Sequence, residues 1–329
     1  MTARARPQRA ERPEWLRVEP QSAHDRSRET PPSAADSSRL SLRVVDVPHV
    51  LPDSRGPRHA FTVDVEDWYQ SCVDYEAPIT ERVVRNVDRI LSILDERGVK
   101  GTFFVQGKVA EAFPEMVSAL VKENHEVQAH GYSHRPLFAM SVRELREELT
   151  RAKQTVEDAA AMPVTAFRAQ DFSIFLRNLW AFEILAETGF EIDSSIFPMR
   201  SRHYGIPNWR LGPHYVEADG FRILEVPVAI SSYGRLRIPV AGGGYFRLLP
   251  FSLLRSGLRS IAAASRPAIV YCHPYEFNPD ELASYPAVSR KLRFLQGIGR
   301  DAFATRIQTL LRTFEFSTMK EVLKTWGLP

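Results

Sequence analysis

The chain has 329 residues, 44% of them hydrophobic and 25% charged, with a formal net charge of +3. This is the profile of a globular protein with room for one barrel or two modest domains, and no run of about eighteen apolar residues suggests a transmembrane segment. Cys72 and Cys272 are the only cysteines, which excludes a disulfide framework and fits a reducing compartment.

Residues 1–40 hold eight Arg against six acidic groups, a surplus of two that leaves the remainder nearly neutral. No basic stripe for nucleic acid is present. Residues 1–55 are rich in Arg, Pro, Ser and Glu and read as a disordered leader, with a short strand or docking piece at Leu40–Val45. The first residues lead into Arg, Glu and Pro instead of an apolar signal segment, so a cytoplasmic location is expected.

From residue 59 strands and helices alternate. Ala60–Asp64 reads as a strand, and Val83, Val87, Ile90, Leu91 and Leu94 give the next segment a helical period that Gly98 closes. Gly101–Val105 is a second strand, followed by a helix over 109–122 in which Pro114 marks a first turn or a break. A third strand, Glu126–Gln128, delivers the segment His130-Gly131-Tyr132-Ser133-His134. Ser141 and Glu144 form a capping box for a helix to about Ala160. Strand Val164–Arg168, helix Leu176–Thr188 and strand Phe190–Asp193 follow. Residues 194–248 read as irregular, with one strand at Ile223–Val226. A helix over 252–264 precedes a last strand, Ala268–His273, and the C-terminal part reads as helical from about Ser289. Repeated βα units with short links predict a parallel sheet or a barrel with helices outside.

Side chains alternate along a strand, so candidate chemistry can be sorted by parity. Thr62, Asp64 and Glu66 share the face opposite Phe61, Val63 and Val65. By the same rule Arg168, Asp193 and His273 face inward while Phe167, Ile192 and Cys272 face the helices. Polar groups gathered at the C-terminal ends of strands are where barrel enzymes place chemistry. The convergent set is Asp64, Glu66 or Asp67, His130, His134, Arg168, Asp193 and His273. Two His and one carboxylate around zinc, with a position left for water, make an open catalytic site. A spare carboxylate as base and a separate His as acid complete the apparatus for metal-assisted hydrolysis of an amide or ester. No Gly-x-Ser-x-Gly elbow points to a serine hydrolase.

These residues resemble the NodB-homology polysaccharide deacetylases, carbohydrate esterase family four. Phe61-Thr62-Val63-Asp64-Val65-Glu66-Asp67-Trp68 is similar to the family's Thr-x-Asp-Asp segment, and His130-Gly131-Tyr132-Ser133-His134 matches its His-x-x-x-His. Phe167-Arg168-Ala169 and Tyr271-Cys272-His273-Pro274 resemble its third and last motifs. The wording Asp-Val-Glu-Asp-Trp, with Gly242-Gly243-Gly244-Tyr245-Phe246-Arg247 and His273-Pro274-Tyr275-Glu276-Phe277, is similar to a subfamily from exopolysaccharide loci.

The resemblance implies an α/β fold, a distorted, incomplete (β/α) barrel over 56–280, with the leader over 1–55 and a C-terminal helical extension over 281–329 packed on it. It implies Asp64 as base, Arg168 as the base's partner and His273 as general acid, with Asp193 tuning that acid. A divalent metal, zinc by preference, would be held by His130, His134 and either Glu66 or Asp67; alternation favours Glu66. The third motif departs from the family at Gln170-Asp171, which puts an extra acid near the site.

The implied reaction is hydrolysis of an N-acetyl group on an amino sugar of a polysaccharide or its lipid-linked precursor, with release of acetate. The implied partner is an N-acetylated glycan, with peripheral association with membrane-bound polysaccharide assembly. The alternatives are a related small-substrate amide hydrolase with weak metal dependence and a non-catalytic glycan-binding relative. Phe246, Tyr233, Trp209 and Tyr204 are candidates for a sugar-stacking wall.

Overall fold

The structure is a computed structural model, described here for residues 42–47, 59–200, 205–218, 220–234, 236–285 and 288–329. Most of the expected leader, and Tyr204, lie outside these residues. Behind an edge strand β1 (Arg43–Asp46), the fold grows from β2 (His59–Val65), every residue of which is buried. On one side of β2 lie β3 (Thr102–Val105), β4 (Glu126–Ala129), β5 (Ala166–Phe167) and β6 (Ile192–Asp193), paired in sequence order and all parallel. Parallel neighbours require a crossover, and the helices supply it. After the short α1 (Trp68–Cys72), α2 (Arg82–Asp95) buries Val83, Val87, Ile90 and Leu94. Pro114 divides the next helix into α3 (Gly107–Ala112) and α4 (Pro114–Lys122). Proline tolerates the first turn of a helix because the N–H it lacks has no partner there. The capping box of Ser141 and Glu144 opens α5 (Val142–Ala160), and α6 (Ala181–Glu187) starts later than the apolar period suggests, after a 3₁₀ turn at Leu176–Asn178.

The stretch read as irregular holds more structure than expected. Strand β7 (His214–Ala218) forms a hairpin with β8 (Phe221–Glu225), and β9 (Ile230–Tyr233) forms another with β10 (Leu236–Pro239). Short strands broken by Gly and Pro leave no long alternating run for a sequence reading to find. β7 also pairs antiparallel with β1, the short strand anticipated before residue 46. After α7 (Gly244–Leu248) and α8 (Phe251–Ala263), β11 (Ala268–Cys272) returns parallel to β2.

The sheet runs β1-β7-β8-β6-β5-β4-β3-β2-β11, as the incomplete barrel predicts. No ladder joins β8 to β11 among the described residues; Ala229 N donates to Ile269 O (2.9 Å) and Tyr271 N to Ala241 O (2.7 Å) across that gap. Inside the curved sheet Ala60, Phe104, Ala166, Ile192, Leu224 and Ile269 make an apolar plug. Beyond α9 (Arg290–Gly297) and α10 (Phe303–Thr313), β12 (Phe316–Ser317) pairs with the first residues of β2. The last helix, α11 (Met319–Thr325), adds Met319, Val322 and Leu323 to the plug. The N-terminal end of the strands is thereby filled, and the polar residues collect at the other end. No helix of the described residues is long and apolar enough to cross a membrane.

Candidate active site

Asp64, the penultimate residue of β2, is 2% exposed, and its Oδ1 accepts from Arg168 Nη1 at 2.7 Å. Arg168 is wholly buried beyond β5, where it also donates to Thr62 Oγ1 (2.7 Å) and Ser194 Oγ (3.0 Å) and lies 4.2 Å above the Phe104 ring. A buried guanidinium with this many acceptors has one orientation, and Asp64 inherits it.

Beside this pair, Glu66, His130 and His134 bring one donor atom each to within 4.8 Å of one another, and all three are buried. His130 Nδ1–H donates to the Arg168 carbonyl (2.9 Å), which turns Nε2 towards Glu66 Oε2 at 3.4 Å. His134 Nε2 lies against the same oxygen. The turn between the two imidazoles needs unusual backbone. Gly131 has φ +66°, where a Cβ would meet Gln170 Oε1 at 2.5 Å, and His134 itself has φ +68°. A non-glycine residue held in the left-handed region is the kind of strain that gathers at functional sites. Burial works to raise the Glu66 carboxyl, but the charge of His134 and contact with both imidazoles outweigh it and hold it well below the usual range.

His273 follows β11 on the facing wall, its Nε2 3.9 Å from Glu66 Oε1. Its Nδ1 is 3.2 Å from Glu276 Oε2, and Glu276 Oε1 meets Arg247 Nε at 3.0 Å. Burial alone would lower the imidazole; the Glu276 hydrogen bond and the charges of Glu66, Glu276 and Asp64 override it and push His273 up to about 9. The Tyr275 hydroxyl donates to Glu66 Oε1 at 3.0 Å, and the Tyr275 ring stacks on His273 with centroids 5.0 Å apart. Between the walls lies a cleft of about 230 Å³.

Two expected residues stand elsewhere. Asp67 caps α1: its Oδ1 accepts from Tyr69 N, and its Oδ2 accepts from Thr80 N and Oγ1. The bend after Val65 that would bring it to the imidazoles does not occur, and Glu66 occupies that place. Asp193 does not touch His273. Ile192 fills the interior plug, so the alternation of β6 is opposite to the one expected and Asp193 faces Glu225, its partner in register on β8. Its carboxylate accepts from Ser195 N and Oγ. A strand of two residues is too short for parity to be read reliably.

The carboxylate that touches His273 is Glu276, not Asp193. The cue was present in the wording His273-Pro274-Tyr275-Glu276, since a residue three positions on in a tight turn can reach back to the one that starts it. Asp171 lines the cleft with a left-handed backbone, φ +54°. Cys272 is a core residue. Phe246 is buried, and Trp209 donates to His214 Nε2 (2.9 Å), so neither faces the cleft as a stacking wall. Gly243 and Gly244 do line it, and a Cβ at the preceding Gly242 would collide with the Tyr271 carbonyl.

A family model described as polysaccharide deacetylase matches residues 72–174, and one described as a domain of unknown function (DUF3473) matches residues 194–324. Residues 72–174 carry a polysaccharide deacetylase domain. It is 29% identical over 112 residues to a peptidoglycan deacetylase of Helicobacter pylori, covering 33% of this chain and 36% of that one. It is 31% identical over 96 residues to a peptidoglycan-N-acetylglucosamine deacetylase of Bacillus cereus, covering 29% of this chain and 35% of the other. The chain thus spans about a third of the length of the curated relatives it matches. A Mycobacterium smegmatis crystal structure assigned to the polysaccharide deacetylases shares the fold, with TM-score 0.54 and 19% identity over 86% of this chain and 97% of that one.

NodB-type deacetylases as a group use a divalent metal, and the donor set here fits one. Glu66 Oε2 and His134 Nδ1 are buried without a hydrogen bond among the described residues. A buried carboxylate oxygen that faces two imidazole nitrogens is a ready place for a cation, which would take the place of any proton held between them.

Proposed function

We propose that this chain hydrolyses the N-acetyl group of an amino-sugar residue and releases acetate, acting on an exopolysaccharide chain or its lipid-linked precursor. The observation that carries this reading is the meeting, in one cleft, of the Asp64–Arg168 pair, the Glu66–His130–His134 cluster and His273 with its Glu276 partner. The likeness of the Asp-Val-Glu-Asp-Trp wording to exopolysaccharide-locus enzymes supports the substrate choice. The cleft volume of about 230 Å³ supports entry of one acetamido sugar, with the rest of the glycan across the mouth.

A divalent ion, with zinc the first choice for two imidazoles and a carboxylate, would polarise the acetyl carbonyl and acidify a water. Asp64 takes a proton from the attacking water. Its Oδ1 is held by Arg168, which leaves Oδ2 for that proton. The water oxygen bonds to the acetyl carbon and the C–N bond breaks. His273, kept protonated at neutral pH by Glu276, gives its Nε2 proton to the departing amine. Tyr275 fixes Glu66 from the opposite side through Oε1.

The test is acetate release from N-acetylglucosamine oligomers, with zinc added and with a chelator. Release that stops with chelation and returns with zinc is expected. Release that ignores the chelator would overturn the reading.

A further inference from the structure

One rim of the cleft presents a surface that the proposed reaction does not use. Helix α9 buries none of its residues. Its inward contact is Leu292, which packs on the cluster of Trp68, Tyr275 and Leu282. One turn on, Gln296 lines the cleft. The outward side carries Phe294, 70% exposed, and Leu295, 48% exposed, while Leu248 at the end of α7 is 63% exposed. The two helices are tied together at the mouth, because Arg247 Nη1 donates to Gln296 O (2.6 Å) and Ile298 O (3.0 Å). Three large apolar side chains therefore flank an opening whose interior is polar.

The charge on α9 itself has one sign. Arg290 and Lys291 are exposed and lie one turn before Phe294 and Leu295, on the same faces of the helix. Along α9 the chain has Arg290, Lys291 and Arg293 and no acidic residue, while Arg300 beyond it is buried and donates to the Tyr275 carbonyl. Apolar side chains beside cations on an exposed helix face are the pattern of an element that lies in a bilayer interface. A second copy docked symmetrically would set this face, which has cations and no carboxylate on α9, against itself, and like charge disfavours a dimer there.

We propose that α9 and Leu248 seat the protein on a membrane surface that contains anionic lipid, with the cleft opening onto glycan held at that surface. This rests on the deacetylase reading of the cleft and narrows its substrate to a membrane-borne one. Phe294, Leu295 and Leu248 enter the headgroup boundary, and Arg290 and Lys291 meet the lipid phosphates.

Sedimentation of the full chain with vesicles tests it, using phosphatidylcholine alone and phosphatidylcholine mixed with phosphatidylglycerol. Binding to the mixed vesicles, weakened by salt, is expected. It should fall at least about tenfold in Phe294→Ser/Leu295→Ser and in Arg290→Glu/Lys291→Glu. Neither pair lines the cleft, so the melting temperature and acetate release from a soluble oligomer should stay at the parent values. Vesicle binding needs no turnover, so its failure is distinct from a failure of the deacetylase reading. Three results would overturn the proposal: no vesicle binding, equal binding to both vesicle types, or binding untouched by either double variant. A concentration-dependent dimer that the same variants dissolve would assign the face to a second copy instead.

Discussion

On one wall of the cleft, Asp64, Glu66, His130 and Arg168 come from the ends of neighbouring parallel strands, and none is more than 3% exposed. On the other wall, His273 has a side chain 21% exposed and takes its orientation from a 3₁₀ turn and from Arg247 on a separate helix. The first wall is set by sheet register, which moves only if the sheet does. The second is set by a few local hydrogen bonds, each removable without disturbing the sheet. The two family matches follow this line in part, since Asp64 and Glu66 precede both. His130, His134 and Arg168 fall in the polysaccharide deacetylase match, while Arg247, His273 and Glu276 fall in the domain of unknown function. Chemistry on the first wall should therefore fail outright when changed, and chemistry on the second should fail by degrees.

The largest effect is expected for His134→Ala. It removes one of the three donors, so bound zinc should fall far below one per chain and acetate release should drop to background. Zinc measured by mass spectrometry after dialysis checks this, and a variant that keeps both metal and activity removes His134 from the site. Asp64→Asn should be nearly as damaging, about a hundredfold to ten-thousandfold in kcat, while zinc stays at the parent level. Loss of metal in that variant would show Asp64 to be a ligand and break the division of roles on the first wall.

Glu276→Gln sharpens the comparison from the other side. The amide can still accept from the His273 backbone N–H, but it gives the imidazole no charge to hold its proton. kcat should fall between about tenfold and a hundredfold, less than loss of the acid itself, with zinc content and the melting temperature kept. A loss as deep as that of Asp64→Asn would mean that both walls are equally unforgiving.

How much of this was legible follows the same division. Alternation along the seven residues of β2 placed Thr62, Asp64 and Glu66 on one face, and the structure joins Thr62 and Asp64 through Arg168 as that face requires. The spacing of His130 and His134 identified a metal-like pair because both leave the same strand end. Asp193 failed because β6 has two residues, and the need to fill the interior with Ile192 set its direction. Glu276 lies within the local turn that starts at His273, but Arg247 was hidden for a different reason. Its meeting with Glu276 depends on how a loop after β10 returns to the turn after β11, and local sequence does not encode that closure. Asp67 was ambiguous only until its cap was seen; Asp at the start of a helix has a local use that competes with any distant one.

The smallest effect tests whether the two halves of the sheet are equally firm away from the cleft. His125, before β4, accepts from Gly101 N through Nδ1 (3.0 Å), and His214, at the start of β7, accepts from Trp209 Nε1 through Nε2 (2.9 Å). An imidazole that accepts through one nitrogen must be neutral. Burial, aided by Lys100 for His125 and by Arg210 for His214, pushes each down to about 4. The unfolded chain takes up these protons near pH 6.5 and the folded chain resists until about 4, so the unfolded state binds more protons in that window. Stability is thus full above the window and is lost as pH falls through it. Melting curves between pH 7 and 4 should drop, and His125→Asn and His214→Gln should each flatten part of the drop, by roughly 3 °C or more. Flattening by only one of the two would show that acid opens that half of the sheet first, and a parent curve with no slope would remove both histidines from the account.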